Sequence, residues 1–259
     1  MDLATAGMTT YCFSTTDTAK CQVRSYSYCR PPLSPRLERK IYCCVIAVAV
    51  IAAAARGISA KASYTDWSGE ENYLDSFDVA EMLETTCVRA CESMRENLDA
   101  SPVIAQVTCT GDVEHLFYVS RQPVTVSKVF RGEALSEGDE IYLTSSSWRL
   151  LVNSSFRAIE RGYVNIMKPG AEYLVFITEQ VGESNDVPVY SLNSVSIVAP
   201  VFCYEDSQNV ILPVPSGNTY VPYTEVQGNE FFVTSQESLD MILALKDEFI
   251  QKYPMSEQP

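Results

Sequence analysis

The chain has 259 residues, 46% of them hydrophobic and 20% charged, with 13 Pro and 11 Gly. That composition excludes collagen-like, low-complexity and wholly disordered chains, and nine Cys are too sparse for a disulfide scaffold. The net charge of −14 is divided unequally. Residues 1–62 hold eight Lys/Arg against three acids, a net of +5, and the rest holds 11 basic against 30 acidic residues, a net of −19. A body of that sign repels phosphate backbones, so nucleic acid is not an expected partner.

Residues 1–40 are rich in Ser, Thr and Tyr, end near Pro31-Pro32 and Pro35, and show no periodic apolar face. They read as a disordered cytoplasmic lead. Between Lys40 and Arg56 lies Ile41–Ala55, IYCCVIAVAVIAAAA, 15 uncharged residues that would be apolar on every face of a helix. Soluble helices keep a polar stripe, so this segment is read as a membrane element.

Two membrane readings stand. In the first, residues 41–58 form a single-pass anchor rising about 27 Å as a helix, with Arg56 snorkelling to the interface. In the second, Ile41–Ala55 is the h-region of a signal peptide cleaved near Ala62, since Ala60-Lys61-Ala62 has the A-x-A form. The long lead favours the anchor. Arg30, Arg36, Arg39 and Lys40 flank the N-terminal side, which places the N-terminus in the cytoplasm and residues after about 62 outside. The membrane, through Ile41–Ile58, is thus an expected partner.

Residues 63–77 read as an acidic linker. A helix is expected over 79–98, with Asp78 and Glu81 as a capping box, Phe77 and Met82 as a staple, and an apolar stripe through Cys87, Ala90, Cys91, Met94 and Leu98. From Val103 the period changes to two. Strands are expected at 103–110, 115–120, 124–130, 140–145, 172–178, 189–198 and 230–234, with turns at Gly132, Gly138, Gly170 and Gly228. A last helix fits 236–252, with Thr234 and Glu237 as its capping box. Short strands at this spacing indicate a β-barrel or sandwich over 78–253 with a helix at each end.

Two stretches carry a resemblance. VTVSKVFRGEALSEGDEIYL, from Val124, and MKPGAEYLVFI, from Met167, resemble the extracytoplasmic bacterial relatives of the netrin-like, or tissue-inhibitor-of-metalloproteinase-like, OB-fold domain. The resemblance covers roughly residues 102–205 and implies an OB-like Greek-key β-barrel of five strands with helices packed against it. The fold class expected is therefore mainly β with flanking helices, preceded by one N-terminal transmembrane or signal helix. The family's inhibitors place an N-terminal Cys on a target zinc. Here the candidate mature N-terminus is Ser63, so those inhibitory residues are not carried over.

Four cysteines lie beyond the apolar segment, and four allow three pairings that sequence does not decide. Cys109 and Cys203, both in expected strands, are the candidate disulfide. Cys87 and Cys91, one helical turn apart, are a second pair or free thiols. CVRAC has one residue too many for a C-x-x-C redox motif. Cys87, Cys91 and His115 lack paired zinc-ligand spacing, and His115, the only His, reads as a solvated turn residue. The acidic clusters lack a calcium-loop pattern, and no phosphate-binding glycine loop occurs. Asn153-Ser154-Ser155 is a sequon. The aromatics between Tyr190 and Phe231 either cover the barrel or form a partner surface.

No catalytic residue, cofactor or metal site is therefore expected. The expected function is a non-enzymatic extracytoplasmic binding module for an unidentified protein or envelope component, membrane-anchored or secreted. Protease inhibition, implied by the resemblance alone, is the alternative.

Overall fold

The computed structural model describes residues 34–63, 72–116, 119–152, 155–211 and 220–256. Residues 1–33 of the lead expected over 1–40, most of the expected linker and the first two sequon residues lie outside them, and Pro35–Lys40 of that lead are helical. The chain divides into two compact units, Met1–Thr65 and Asp66–Pro259.

The described residues of the first unit form a helix, α1 (Pro35–Ser63). Proline suits its first position, because it lacks only an N–H that no helical carbonyl would accept, and the Ser34 carbonyl accepts from Leu37 N at 2.8 Å. Alanines at 47, 49 and 52–55 favour the helix. Pro35–Ala60 is long and apolar enough to cross a membrane: 26 residues rise about 39 Å, against a hydrocarbon core of ~30 Å. The helix runs beyond the expected 41–58 at both ends, and the Ala60-Lys61-Ala62 site lies in its last turn.

The second unit contains, in order, β1 (Asp78–Ala80), α2 (Glu84–Asn97), β2 (Val103–Cys109), β3 (Glu114–His115), β4 (Ser120–Arg131), β5 (Glu140–Thr144), β6 (Arg149–Val152), β7 (Arg157–Glu160), β8 (Glu172–Ser184), β9 (Val187–Leu192), β10 (Val201–Cys203), β11 (Tyr220–Pro222), α3 (Tyr223–Val226) and α4 (Gln236–Lys252). Strands β2, β4, β5, β9 and β8 close into a barrel in that spatial order. Every neighbour is antiparallel except β5 and β9. Numbered along the chain, the order around the barrel is 1-2-3-5-4-1, an OB-like Greek key. β4 carries an extra residue opposite β2 at two places, between Ile104 and Ala105 and between Gln106 and Val107, and these bulges help the long strand curl around the closed wall.

Cross-strand partners share a face, so the register identifies the interior. Cys109 faces Val124, Val107 faces both Val126 and Tyr173, and Val124 faces Ile141. These side chains are buried and fill the barrel. The opposite face of β8 and β10 presents Phe176 and Phe202, on which α4 lays Phe249 with ring centroids 5.0 and 5.7 Å away. α2 packs beside α4 through Cys87, Ala90, Cys91 and Met94, as the apolar stripe required. Gly170, at φ +87°, supplies the left-handed residue of the expected turn before β8.

A second sheet, in the order β11-β1-β7-β6, encloses its own core of Phe77, Val79, Ile159, Val221, Val226 and Phe232. It corrects several expectations. Residues 78–80 are strand rather than the first turn of a helix, because β1 pairs with β7 on one side and β11 on the other. The helix therefore starts at Glu84, capped by Leu83 without a side-chain bond, and Asp78 and Glu81 form no capping box. Phe77 and Met82 enter different cores and do not staple the helix. Residues 73–76 are a 3-10 turn leading to buried Phe77, so this part of the expected linker belongs to the domain. The 230–234 segment makes only single bridges, Val164 with Phe231 and Met82 with Val233. At α4 the cap is Ser235, accepting from Ser238 N, rather than Thr234. Tyr190, Phe202 and Phe231 are buried, so these aromatics cover the barrel.

Candidate functional site

Along β4 the inward positions change character. Val126 and Val124 are apolar, whereas Gln122 and Ser120, next on the same face, are buried and polar. The barrel interior thus ends in a polar mouth. The β5–β8 connection turns back over this mouth, carrying Trp148, Arg161 and Met167.

Gln122 ties the connection down. Its Nε2 donates to Met167 O at 2.6 Å, and its Oε1 accepts from Met167 N and from Arg161 Nη2, each at 3.1 Å. The Arg161 guanidinium lies 3.7 Å from the ring centre of Trp148. Arg161 is buried, and among the described residues it forms no ion pair. Its Nε and Nη1 find no acceptor among the described residues. Burial lowers its pKa to about 9, still a cation at neutral pH; Tyr223, Cys109, Tyr173 and Tyr73, which act on its charge, are neutral there. An interior charge without a counter-ion is costly, since several kcal/mol of lost hydration go unreplaced.

Beside it runs a hydrogen-bonded chain. Tyr73 Oη and His115 Nε2 lie 2.6 Å apart, and His115 Nδ1 is 2.7 Å from Ser120 Oγ. His115 is paired with Ser120 across β3 and β4 and is not the solvated turn residue expected from sequence. Burial, with the Arg161 charge adding to it, lowers its pKa to about 4. Burial pushes the Tyr73 phenol up to about 12. A neutral imidazole held between two hydroxyls suits hydrogen bonding more than proton transfer near pH 7.

The cysteines are separated by the same topology. β8 stands between β2 and β10: Val107 pairs with Tyr173, and Tyr173 with Cys203. Two strand spacings are roughly 9–10 Å, and Cys109 lies two residues further along. That exceeds the ~7 Å Cα limit for a disulfide. The expected Cys109–Cys203 bridge does not fit this register, and all four cysteines are buried free thiols. Cys109 Sγ lies 3.3 Å from Gly111 O, accepts from Gln122 Nε2, and has its pKa raised by burial. Cys87 and Cys91 hold their Sγ atoms 3.9 Å apart on α2, and Cys87 donates to Ser238 O of α4. His115 is not with them, and no group of three metal-ligating side chains occurs among the described residues.

Sequence reasoning found Cys109 and His115 but missed Arg161, Trp148 and Gln122. One signal was present: Ser120-x-Gln122-x-Val124-x-Val126 alternates with its polar end inward. The sequence matches no protein-family model and no curated protein. Fold and site define an OB-like barrel, preceded in the chain by an apolar helix, with a buried cation at its mouth.

Proposed function

We propose that this chain is a non-enzymatic binding module that acts outside the cytoplasm, anchored by α1 or exported through it. The observation that carries the reading is an apolar helix of 26 residues preceding an OB-like barrel. The barrel mouth supports recognition rather than turnover: its thiol is raised by burial, its imidazole is neutral and tied, and its guanidinium is fixed on an indole. The acidic body adds solubility and disfavours anionic polymers.

Fractionation and protease protection test the reading. A C-terminal tag on intact cells or sealed vesicles should be accessible from the outer side, with intact mass separating a full-length anchored chain from a released one starting near Ser63. A tag found only in the cytosolic fraction would overturn it.

A further inference from the structure

Cys87 and Cys91 lie one turn apart on α2, on the side where α2 packs against α4. Their Sγ atoms are 3.9 Å apart, and both side chains are buried. Geometry separates the two bridges such a pair could make. A disulfide needs its Cβ atoms about 3.5–4.5 Å apart and its sulfurs at ~2.05 Å, whereas helical residues four apart hold their Cβ atoms about 5–6 Å apart. Closing a disulfide would therefore bend α2. An ion between the sulfurs asks for much less. Two metal–thiolate bonds of about 2.3 Å span 3.9 Å at an angle of about 115°, and even a linear bridge needs only about 0.7 Å more. We propose that Cys87 and Cys91 form a binding site for one soft monovalent ion of the copper(I) class, held as a bis-thiolate between α2 and α4. The site lies apart from the barrel mouth and goes beyond the binding-module reading, and neither depends on the other.

Chemistry narrows the ion. Structural zinc is almost always four-coordinate, and no third Cys, His, Asp or Glu joins this pair among the described residues. Copper(I) and silver(I) take thiolate and thioether sulfur and accept few ligands. Buried Met82 and Met94 belong to the same core cluster, so the surroundings are apolar and rich in sulfur. Binding is a proton exchange without redox change: each S–H bond breaks, each sulfur forms one bond to the ion, and two protons leave to solvent. The first deprotonation is prepared. A hydrogen bond from Cys91, and another with the Ser238 side chain, lower the Cys87 thiol against the opposing effect of burial. Cys87 also lies in the first turn of α2, where the helix dipole favours a thiolate. The complex carries one negative charge, which Arg95, acting on Cys91, offsets and Glu84, acting on Cys87, opposes. Entry is through the same turn: its cap, Leu83, is exposed and makes no side-chain hydrogen bond, so the turn opens more readily than a capped one.

The test uses the full-length chain in detergent with Cys12, Cys21, Cys29, Cys43 and Cys44 replaced by Ala, which leaves Cys87, Cys91, Cys109 and Cys203. It is titrated anaerobically with Cu(I), with Ag(I) as an air-stable counterpart and Zn(II) as the contrast, following Tm and the X-ray absorption of the metal. Cu(I) and Ag(I) should each bind at one ion per chain, raise Tm as ligands of the folded state, and show sulfur neighbours at about 2.3 Å. Zinc should leave Tm unchanged. Cys87→Ala and Cys91→Ala should each lose the rise in Tm, and Cys109→Ala should keep it. Where one of the first two variants does not fold, the other decides. No rise with either soft ion, an unchanged rise in Cys87→Ala or in Cys91→Ala, or an equal rise with zinc would overturn the site. None of these outcomes bears on the topology test above.

Discussion

Lys246 of α4 and Glu230 meet at 2.6 Å, and both side chains are 5% exposed. Unlike Arg161, this ion pair is fully provided for. Glu230 also accepts from Cys203 N and Ser207 Oγ, and Lys246 also donates to Glu205 O. The network joins the last helix to β10 and to the 230–233 segment. Removing one partner leaves the other charge buried and uncompensated, which typically costs 3–5 kcal/mol, whereas removing both together costs less. Lys246→Met should therefore destabilise by about 3–5 kcal/mol in urea unfolding, and Lys246→Met with Glu230→Gln by less than the sum of the single changes. Strict additivity would show that the two are not coupled.

Gly162 is held against the loop before β10. A Cβ there would lie 2.7 Å from Ala199 N and 2.9 Å from Ile197 O, both backbone atoms, at φ +61°. Neither atom can yield without moving its peptide, and Ala199 N donates to Gly162 O at 3.0 Å. Gly162→Ala should cost about 2 kcal/mol or more in chemical unfolding. Gly138→Ala is the control: its φ is +90° but nothing lies within 4 Å, so only the conformational cost applies and the loss should be smaller.

Glu81 gives the stability a pH dependence. It is 2% exposed, neither carboxylate oxygen has a partner among the described residues, and burial raises its pKa from 4.5 to about 7. The folded state keeps the proton between those values and the unfolded chain releases it. The neutral carboxyl's contribution is thus complete below pH 4.5 and is lost as pH rises through 7. Glu81→Gln should match the wild-type Tm near pH 5 and exceed it at pH 8. An equal difference at both pH values would show that Glu81 does not titrate in this range.

His115 acts with the opposite sign. Its folded pKa of about 4 lies below the ordinary 6.5, so the folded state excludes a proton that the unfolded chain takes up. Its contribution is present above pH 6.5 and falls as pH drops towards 4. Because the chain has one His, its imidazole resonance needs no assignment. NMR should show a neutral ring at pH 5.5, and Arg161→Met should raise the midpoint by removing a nearby positive charge. A wild-type midpoint near 6.5 would mean that the ring is solvated.

Much of the barrel was legible because period-two alternation is written into single strands. The strands expected at 103–110, 124–130, 140–145 and 172–178 and the helix at 236–252 follow the local pattern and overlap the observed elements, whereas the strand expected at 189–198 runs instead over Val187–Leu192. The second sheet was not legible. β1 has three residues and β6 and β7 four each, too few to establish a period, and each is fixed by a partner distant in sequence, such as Asp78 with Ala158 and Pro222. The capping-box pattern at Asp78 was outweighed by that pairing, which satisfies the same backbone groups within a sheet.

The sequence by itself determined the apolar helix, whose composition requires no partner to be read, and the alternation that makes a barrel wall. Only the tertiary structure decided the site. Gln122, Trp148 and Arg161 lie far enough apart in the chain that no spacing rule relates them, and closure of the barrel brings them together. It also decided the fate of the cysteines, because β8 entered between β2 and β10 and separated Cys109 from Cys203. Local patterns fix which face a side chain takes; the order of strands around the barrel fixes what that face meets.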